Sequence, residues 1–282
     1  MKNMKKKILA VIMATLATAG IAGCANNAGT SSTTDSASNA TVAAAPSTLL
    51  TPGVLKVGVE IGYPPFELFA DDGVTPTGFD IELSKEIADR LGLRVEYENT
   101  AWDGIFAGLD ADKYDVIMSA VTISPERVLK YEFSTPYIEN WQCLIVRKGD
   151  TGISSMEDLN GKTVGYQGGT TSDEYLTGLI ETGQLDSKKT PYDKILQCFE
   201  DLKNKRIDVI ICDSTVAEGY LAREPGAYDQ VWSQSTEDGA VAETFGVCIK
   251  KGNTELQTAV NAALADIEKS GKLAELQANW IS

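Results

Sequence analysis

Short apolar runs alternate with helical patterns of apolar and polar residues from residue 52 to residue 282. Several runs are apolar at consecutive positions, which favours strands covered on both faces. The predicted strands are Leu55–Val59, Val95–Tyr97, Tyr114–Ala120, Gln142–Arg147, Thr163–Tyr166, Ile207–Cys212 and Phe245–Ile249. This alternation of strands and helices predicts an α/β fold with mostly parallel sheets.

Three helical regions carry start or stop signals. Asp80 precedes apolar residues at helical spacing and is expected to cap that helix. Thr215 and Glu218 have the spacing of a capping box at the start of a second helix. The segment Thr254–Trp280 is predicted to be helical, with a break at Gly271.

The first residues of the chain differ from the rest in composition. Four lysines lie among residues 2–7 and precede an apolar run, Ile8–Ile21, which is too short and too early for a membrane span. We therefore expect a secretory signal peptide, residues 1–23. The run ends in Ile-Ala-Gly-Cys24, which resembles the lipobox of bacterial lipoproteins and implies a lipid on Cys24. A plain cleavage site beside an incidental cysteine is the alternative.

Residues 25–51 contain one charged side chain, Asp35, and no hydrophobic period. Such a segment cannot bury a core, so residues 24–51 are expected to form the lipidated cysteine and a disordered tether. Its reach of roughly 30 Å would hold a folded body off a membrane that it does not span. The expected location is extracytoplasmic, at the cell membrane, and on the periplasmic side if the cell has an outer membrane.

The composition excludes several classes of function. The chain has 282 residues with 25 basic and 40 acidic side chains, and a net charge of −15 disfavours nucleic acid as a partner. It has no histidine, which removes Ser-His-Asp triads, Cys-His pairs and histidine metal sites. No metal and no cofactor are expected. The remaining cysteines lie singly in apolar stretches and are predicted to be free buried thiols, although a disulfide stays open: Cys143, Cys198, Cys212 and Cys248.

Polar motifs follow four of the predicted strands. Ligands of open α/β sheets lie beyond the carboxyl ends of strands, so these motifs are candidate binding residues. The motifs are residues 60–67 (Glu-Ile-Gly-Tyr-Pro-Pro-Phe-Glu), residues 121–127 (Val-Thr-Ile-Ser-Pro-Glu-Arg), residues 167–173 (Gln-Gly-Gly-Thr-Thr-Ser-Asp) and Asp213.

These motifs, in this order, resemble the family 3 solute-binding proteins of bacterial amino-acid ABC transporters. The resemblance runs from about Gly53 to Trp280 and also includes Gly78-Phe79-Asp80, Ala101-Trp102-Asp103-Gly104-Ile105, Phe133-Ser134-Thr135-Pro136-Tyr137 and Lys272. Each motif is weak alone, and the ordered set is specific. It implies a periplasmic-binding-protein-like type II fold, in which two α/β lobes joined by two hinge strands close on one ligand.

The resemblance also implies an organisation and partners. Lobe 1 would be residues 52–138 plus 244–282, lobe 2 residues 139–243, and the hinges would lie near Tyr137–Trp141 and Ala242–Phe245. The protein would be a monomeric receptor, not an enzyme. It would capture an amino acid and deliver it to the membrane permease of an ABC transporter.

The charged groups of an α-amino acid require an anion clamp beside a cation clamp. Arg127 suits the carboxylate, since a guanidinium offers two parallel donors, and by itself it could equally be a solvated partner of Glu126 or Glu132. The turn that contains Thr170 and Thr171 precedes a helix, whose first N–H groups would add donors.

Asp213, the Thr122 hydroxyl and the Ala120 carbonyl suit the ammonium group. The alternative for Asp213 is an ordinary helix N-cap. The predicted capping box at Thr215 makes that alternative weaker, because it would leave the Asp213 carboxylate free.

Glu60, Tyr63, Trp102 and Gln167 would then surround the ligand side chain. A carboxylate with two aromatic faces favours a cationic group, and hence a basic amino acid, while cystine and glutamine stay open. Core packing is the alternative for the two aromatic residues. Two other classes of function also stay open: a dehydratase of the cyclohexadienyl or arogenate type on the same fold, with Glu60 as proton donor, and an amino-acid sensor.

Overall fold

The computed structural model describes residues 45–281. The expected signal peptide, Cys24 and most of the expected tether lie outside these residues. The strands are β1 Val54–Val59, β2 Leu68–Phe69, β3 Pro76–Thr77, β4 Arg94–Asn99, β5 Val116–Ile117, β6 Tyr131–Phe133, β7 Ile138–Asn140, β8 Gln142–Arg147, β9 Thr163–Gln167, β10 Lys188–Tyr192, β11 Val209–Asp213, β12 Tyr228–Ser233, β13 Glu243–Phe245 and β14 Cys248–Lys250. The helices are α1 Phe79–Leu91, α2 Trp102–Asp110, α3 Pro125–Lys130, α4 Thr171–Glu181, α5 Ile195–Lys203, α6 Ser214–Arg223, α7 Thr254–Lys269 and α8 Lys272–Trp280.

Ten of these strands form two five-stranded sheets, one in each lobe. The sheet of lobe 1 has the order β4-β1-β5-β14-β6, and that of lobe 2 the order β10-β9-β11-β8-β12. The two-lobed α/β fold predicted from the sequence is therefore confirmed. The residue bounds assigned to the two lobes stay a prediction.

The expectation of mostly parallel sheets is wrong, since both sheets are mixed. β1 pairs in parallel with β4 and β5, and β9 with β10 and β11. β14 and β8 run antiparallel to these strands. The register gives the reason: Gln142, which begins β8, pairs with Asp213, which ends β11. The chain thus enters the sheet from the edge at which the parallel strands end.

A short antiparallel pair, β7 with β13, lies within the two segments predicted as hinges. The single strand predicted over Phe245–Ile249 is accordingly wrong, because the chain there forms the end of β13 and then β14. The strand predicted over Tyr114–Ala120 is reduced to β5. The chain leaves the sheet after β5, and the backbone of Ala120 is left-handed, with φ 47°.

Two predicted helix caps are wrong, and one break is confirmed. Gly78 caps α1, while Asp80 lies in the first turn and accepts hydrogen bonds from Ala120 N and Tyr137 Oη. α6 begins at Ser214, and the hydroxyl of Thr215 donates to Asn140 Oδ1 instead of forming a capping box. In both cases the side chain that local spacing assigned to a helix cap instead forms hydrogen bonds with residues distant in sequence. The predicted break at Gly271 separates α7 from α8.

The residues just before β1 contact lobe 1. Ser47 donates to Glu255 at 2.6 and 3.0 Å, and Leu50 N donates to Asp115 Oδ1 at 2.7 Å. The four cysteines of the described region are free and buried. Between residues 45 and 281, none of the helices has the length and apolar character needed to cross a bilayer.

Candidate functional site

One cavity brings together all ten residues that the sequence predicts as ligand contacts. Their contact with a ligand stays a prediction. Lobe 1 supplies residues from the ends of β1 and β5 and from α2 and α3, and lobe 2 supplies the ends of β9 and β11. The cavity is lined by Glu60, Tyr63, Trp102, Ser119, Ala120, Thr122, Arg127, Gln167, Thr170, Thr171 and Asp213, of which Ser119 was not predicted.

Arg127 is buried, with 8% of its surface exposed. Ser124 caps α3 by accepting from Arg127 N, and the guanidinium lies 5.4 and 5.3 Å from the ring centres of Trp102 and Phe106. It donates to the carbonyls of Thr122 and Gly169, at 3.2 and 3.5 Å, and forms no ion pair among the described residues. Burial lowers its pKa. Arg127 is therefore not the solvated ion-pair partner that stood as the alternative, and a buried guanidinium on aromatic rings suits an anion.

The N-terminus of α4 lies at the same side of the cavity. Thr170 is its N-cap, accepting from Asp173 N, and its hydroxyl donates to Gln167 O at 2.8 Å. The next residue, Thr171, also lines the cavity. Because the first N–H groups of a helix lack partners within it, this end can bind a carboxylate together with Arg127.

Asp213 is 4% exposed and is held by three donors. Its Oδ2 accepts from Tyr63 Oη at 2.6 Å, and its Oδ1 accepts from Asn140 Nδ2 at 2.7 Å and Gln142 Nε2 at 3.0 Å. Burial raises its pKa and these hydrogen bonds lower it. Asp213 occupies the N-cap position of α6 but makes no cap hydrogen bond, so its carboxylate can serve the cavity.

Glu60 and Gln167 form another part of the cavity wall. Glu60 Oε1 accepts from Trp102 N at 3.2 Å, and Oε2 accepts from Gln167 Nε2 at 2.7 Å. Burial raises the pKa of Glu60. Within the described part of the chain, buried Gln167 Oε1 has no hydrogen-bond partner. A carboxylate beside an unsatisfied acceptor suits a ligand group that donates hydrogen bonds.

Two aromatic residues connect the lobes. Trp102 Nε1 donates to Gly169 O at 3.1 Å, and Tyr63 Oη reaches Asp213 from the other lobe. The Trp102 ring lies beside Arg127, and the Tyr63 hydroxyl lies at the Asp213 end. Both residues line the cavity, and their contact with a ligand side chain stays a prediction.

Glu243, which sequence reasoning missed, hydrogen-bonds to the cavity residues Thr122 and Thr171 without lining the cavity itself. Its Oε2 accepts from Thr171 Oγ1 at 3.0 Å and Gln142 Nε2 at 3.1 Å. Burial and the nearby charge of Asp213 raise the pKa of Glu243 to about 7. The available signal was an acidic side chain inside a predicted hinge segment. Asn140, in the other predicted hinge segment, and Gln142, at the start of a predicted strand, were also not predicted as site residues.

The described residues contain no cluster of three or more histidine, cysteine, aspartate or glutamate side chains that could hold a metal ion. The cavity instead presents one cationic clamp and, farther along, several acceptors. It can therefore bind a small polar molecule that carries both charges.

Known proteins match this chain over nearly all of its folded part. The family model for bacterial extracellular solute-binding proteins, family 3, matches residues 55–282. The L-cystine-binding protein TcyJ of Escherichia coli (strain K12) is 37% identical over 229 residues, which cover 81% of this chain and 82% of that protein. The ABC transporter arginine-binding protein 1 of the same strain is 31% identical over 226 residues, covering 80% and 90%. A solved structure of an ancestral arginine-binding protein bound to arginine has a TM-score of 0.74 at 35% identity and covers 82% of this chain and 99% of its own.

Two lobes that enclose a polar cavity between them define a receptor for a small solute. The match over residues 55–282 makes the assignment specific: the chain belongs to the bacterial extracellular solute-binding proteins, family 3. The relatives are named as amino-acid-binding proteins, and not as enzymes.

Proposed function

We propose that this protein captures an α-amino acid with a cationic group at its far end and delivers it to the permease of an ABC transporter. The observation that carries the proposal is that Arg127 and Asp213 line the same buried cavity from different lobes. Relatives named for arginine and cystine support the ligand class, and one is named as part of an ABC transporter.

The α-carboxylate would bind Arg127 and the N-terminus of α4. The ammonium group would donate to Asp213, Thr122 Oγ1 and the Ala120 carbonyl. Because Arg127 belongs to lobe 1 and Asp213 to lobe 2, the ligand gains both contacts only when the lobes are closed. Binding then shifts the population toward the closed form by that difference in affinity.

The far end of the ligand would meet Glu60 and Gln167 Oε1. Glu60, Asp213 and Glu243 are three acidic groups near a single guanidinium, so the cavity favours a ligand with net positive charge. This supports a basic amino acid over glutamine.

Cystine is the second candidate, because TcyJ is named for it. Its distal ammonium could occupy the same place beside Glu60. Its distal carboxylate would need a cation, and Lys194 is the candidate. The Nζ of Lys194 donates to Ile61 O at 3.4 Å, and its charge lowers the pKa of nearby Glu60.

The anchor and the location are part of the proposal. Lipid on Cys24 would hold the receptor at the outer face of the cell membrane, beside its permease. The predicted lobe bounds, residues 52–138 plus 244–282 and residues 139–243, belong to the same proposal.

A thermal-shift screen of the protein against the common amino acids and cystine tests this function. A ligand at a hundred times its Kd stabilises by about 2.7 kcal/mol, which raises Tm by roughly 5–10 °C for a chain of this size. Arg127→Ala is expected to abolish the shift for every amino acid, because the carboxylate loses its paired donors.

Arg94→Ala is the control, since that side chain is 69% exposed on β4 and its shifts should equal those of the wild type. A flat response of the wild-type protein to the whole panel would refute the proposal. Consumption of prephenate or arogenate would favour the dehydratase.

A further inference from the structure

Glu243 joins the hinge to both lobes. It lies on β13 opposite Asn140 of β7, and its Oε2 accepts from Asn140 Nδ2 at 3.4 Å. The same oxygen accepts from Gln142 and Thr171 of lobe 2, and from Thr122 Oγ1 of lobe 1 at 3.5 Å. All four partners also contact Asp213 or line the cavity: Asn140 and Gln142 bond to Asp213, and Thr171 and Thr122 line the cavity.

Glu243 and Asp213 share their donors. Gln142 Nε2 lies 3.0 Å from Asp213 Oδ1 and 3.1 Å from Glu243 Oε2, and Asn140 Nδ2 also donates to both carboxylates. Two carboxylate oxygens on one amide nitrogen are close enough to repel each other when both are charged. In such a pair one carboxyl group keeps its proton to a higher pH than an isolated carboxyl group would.

The charges around the pair do not remove this repulsion. Arg127 is the cation that acts on both carboxylates, but its guanidinium donates to the carbonyls of Thr122 and Gly169 and forms an ion pair with neither carboxylate. The side chains that touch Glu243 from β7, β8, α4 and the β5–α3 loop are uncharged: Asn140, Gln142, Thr171 and Thr122. The raised pKa of Glu243, about 7, agrees with this arrangement.

We propose that Glu243 is a positioning residue which shares one proton with Asp213, and that the ammonium group of the ligand displaces this proton to solvent. The inference rests on the proposed function, because it requires a ligand with an ammonium group. The carboxyl O–H bond breaks, the proton goes to water or buffer, and the ammonium N–H takes its place as the donor to the pair. Binding and proton release are therefore linked.

The sign of the linkage follows. The complex holds fewer protons than the free protein, so affinity rises with pH up to about 7 and is level above it. Below pH 7 the wild type should lose up to about tenfold in affinity for each pH unit.

Isothermal titration calorimetry of the full chain with L-arginine and L-cystine tests this at pH 5.5, 6.5, 7.5 and 8.5. At pH 6.5 the titration is repeated in two buffers of different ionisation enthalpy, which counts the protons released. Because a group with a pKa of about 7 is about three-quarters protonated at pH 6.5, the wild type is expected to release about 0.75 proton. Glu243→Gln is expected to release almost none and to show a flat pH profile. Glu243→Asp, which keeps a carboxyl group, should retain the release.

Glu139→Gln is the matched control, because it removes the same charge from an exposed position on the paired hinge strand. It should release as many protons as the wild type. Equal proton release by Glu243→Gln and the wild type would overturn the role of Glu243 and leave the receptor function intact. Failure of the wild type to bind any amino acid would instead refute the proposed function.

A measurement without ligand checks the carboxyl pair separately. Because the pKa of Glu243 is raised in the folded state, its contribution to stability is full below its ordinary value of 4.5 and is lost as pH rises to about 7. Glu243→Gln should therefore unfold at a higher temperature relative to the wild type at pH 8 than at pH 5. The same difference at both pH values would overturn the shared proton.

Discussion

At the scale of single residues, the cationic and the acidic side chains of the cavity have different surroundings. Arg127 is isolated among aromatic rings and carbonyls, whereas Glu60 sits beside an acceptor of Gln167 that has no partner within the described chain. A desolvated carboxylate gains most from a cationic partner, since hydrogen bonds to charged groups contribute about 1.5–3 kcal/mol. Glu60 is thus the residue expected to select the far end of the ligand.

Glu60→Gln should weaken a cationic ligand by about 10- to 100-fold, because the amide keeps a hydrogen bond but loses the charge. Glutamine, if it binds, should change by less than about threefold. Calorimetric Kd values for arginine and glutamine provide the comparison, and Glu98→Gln, an exposed charge change on β4, serves as control. An equal loss for both ligands would contradict the assignment of Glu60.

At the scale of elements, the N-terminus of α4 combines a cap with part of the carboxylate clamp. Thr170 caps the helix and also donates to Gln167 O, so one side chain orders both the helix end and the end of β9. A change at Thr170 should therefore affect both the stability of α4 and the affinity for the ligand.

Thr170→Ala is expected to cost about 1 kcal/mol of unfolding free energy and to weaken amino-acid binding several-fold. Asn253→Ala removes the equivalent cap, which accepts from Leu256 N at 3.3 Å at the start of α7, outside the cavity. It should lower stability by a similar amount and leave affinity unchanged. Denaturant unfolding with a parallel Kd measurement decides, and unchanged affinity in Thr170→Ala would count against the helix end as a ligand contact.

At the scale of the whole molecule, Asp80 connects parts of lobe 1 that are far apart in sequence. Its Oδ2 accepts from Ala120 N at 2.7 Å, in the loop that lines the cavity, and from Tyr137 Oη at 3.1 Å, next to β7. Burial raises the pKa of Asp80 from 3.8 to about 7. The folded protein therefore retains a proton that the unfolded chain gives up.

The consequence is a stability contribution that is full below pH 3.8 and is lost as pH rises to about 7, by up to about 1.4 kcal/mol per pH unit. Asp80→Asn should remove this part of the slope. Asp89→Asn, an exposed change on the same helix, should keep the wild-type slope. Unfolding free energies between pH 4 and 8 measure the effect, and parallel curves for Asp80→Asn and the wild type would show that Asp80 does not titrate as inferred.

Eight of the ten predicted cavity residues could be found from sequence because they lie in motifs that follow predicted apolar strands, whereas Trp102 and Ala120 were named through the resemblance. A parallel arrangement carries such strand ends to one edge, so their sequence positions already indicate a shared site. The resemblance assigned them roles, and those roles stay predictions. The caps at Asp80 and Thr215 could not be predicted correctly, since local spacing contains no information about Ala120, Tyr137 or Asn140.

The sequence by itself determined the α/β class, the two-lobed family and the ends of the strands that line the cavity, because these depend on local periodicity and on ordered motifs. The tertiary structure alone decided the mixed direction of the sheets and the pairing of Asn140 with Glu243. It also placed Glu243 beside Asp213 through shared amide donors. The physical reason is distance along the chain: these contacts join segments 30 to about 100 residues apart, and only folding brings their charges close enough to change each other's pKa.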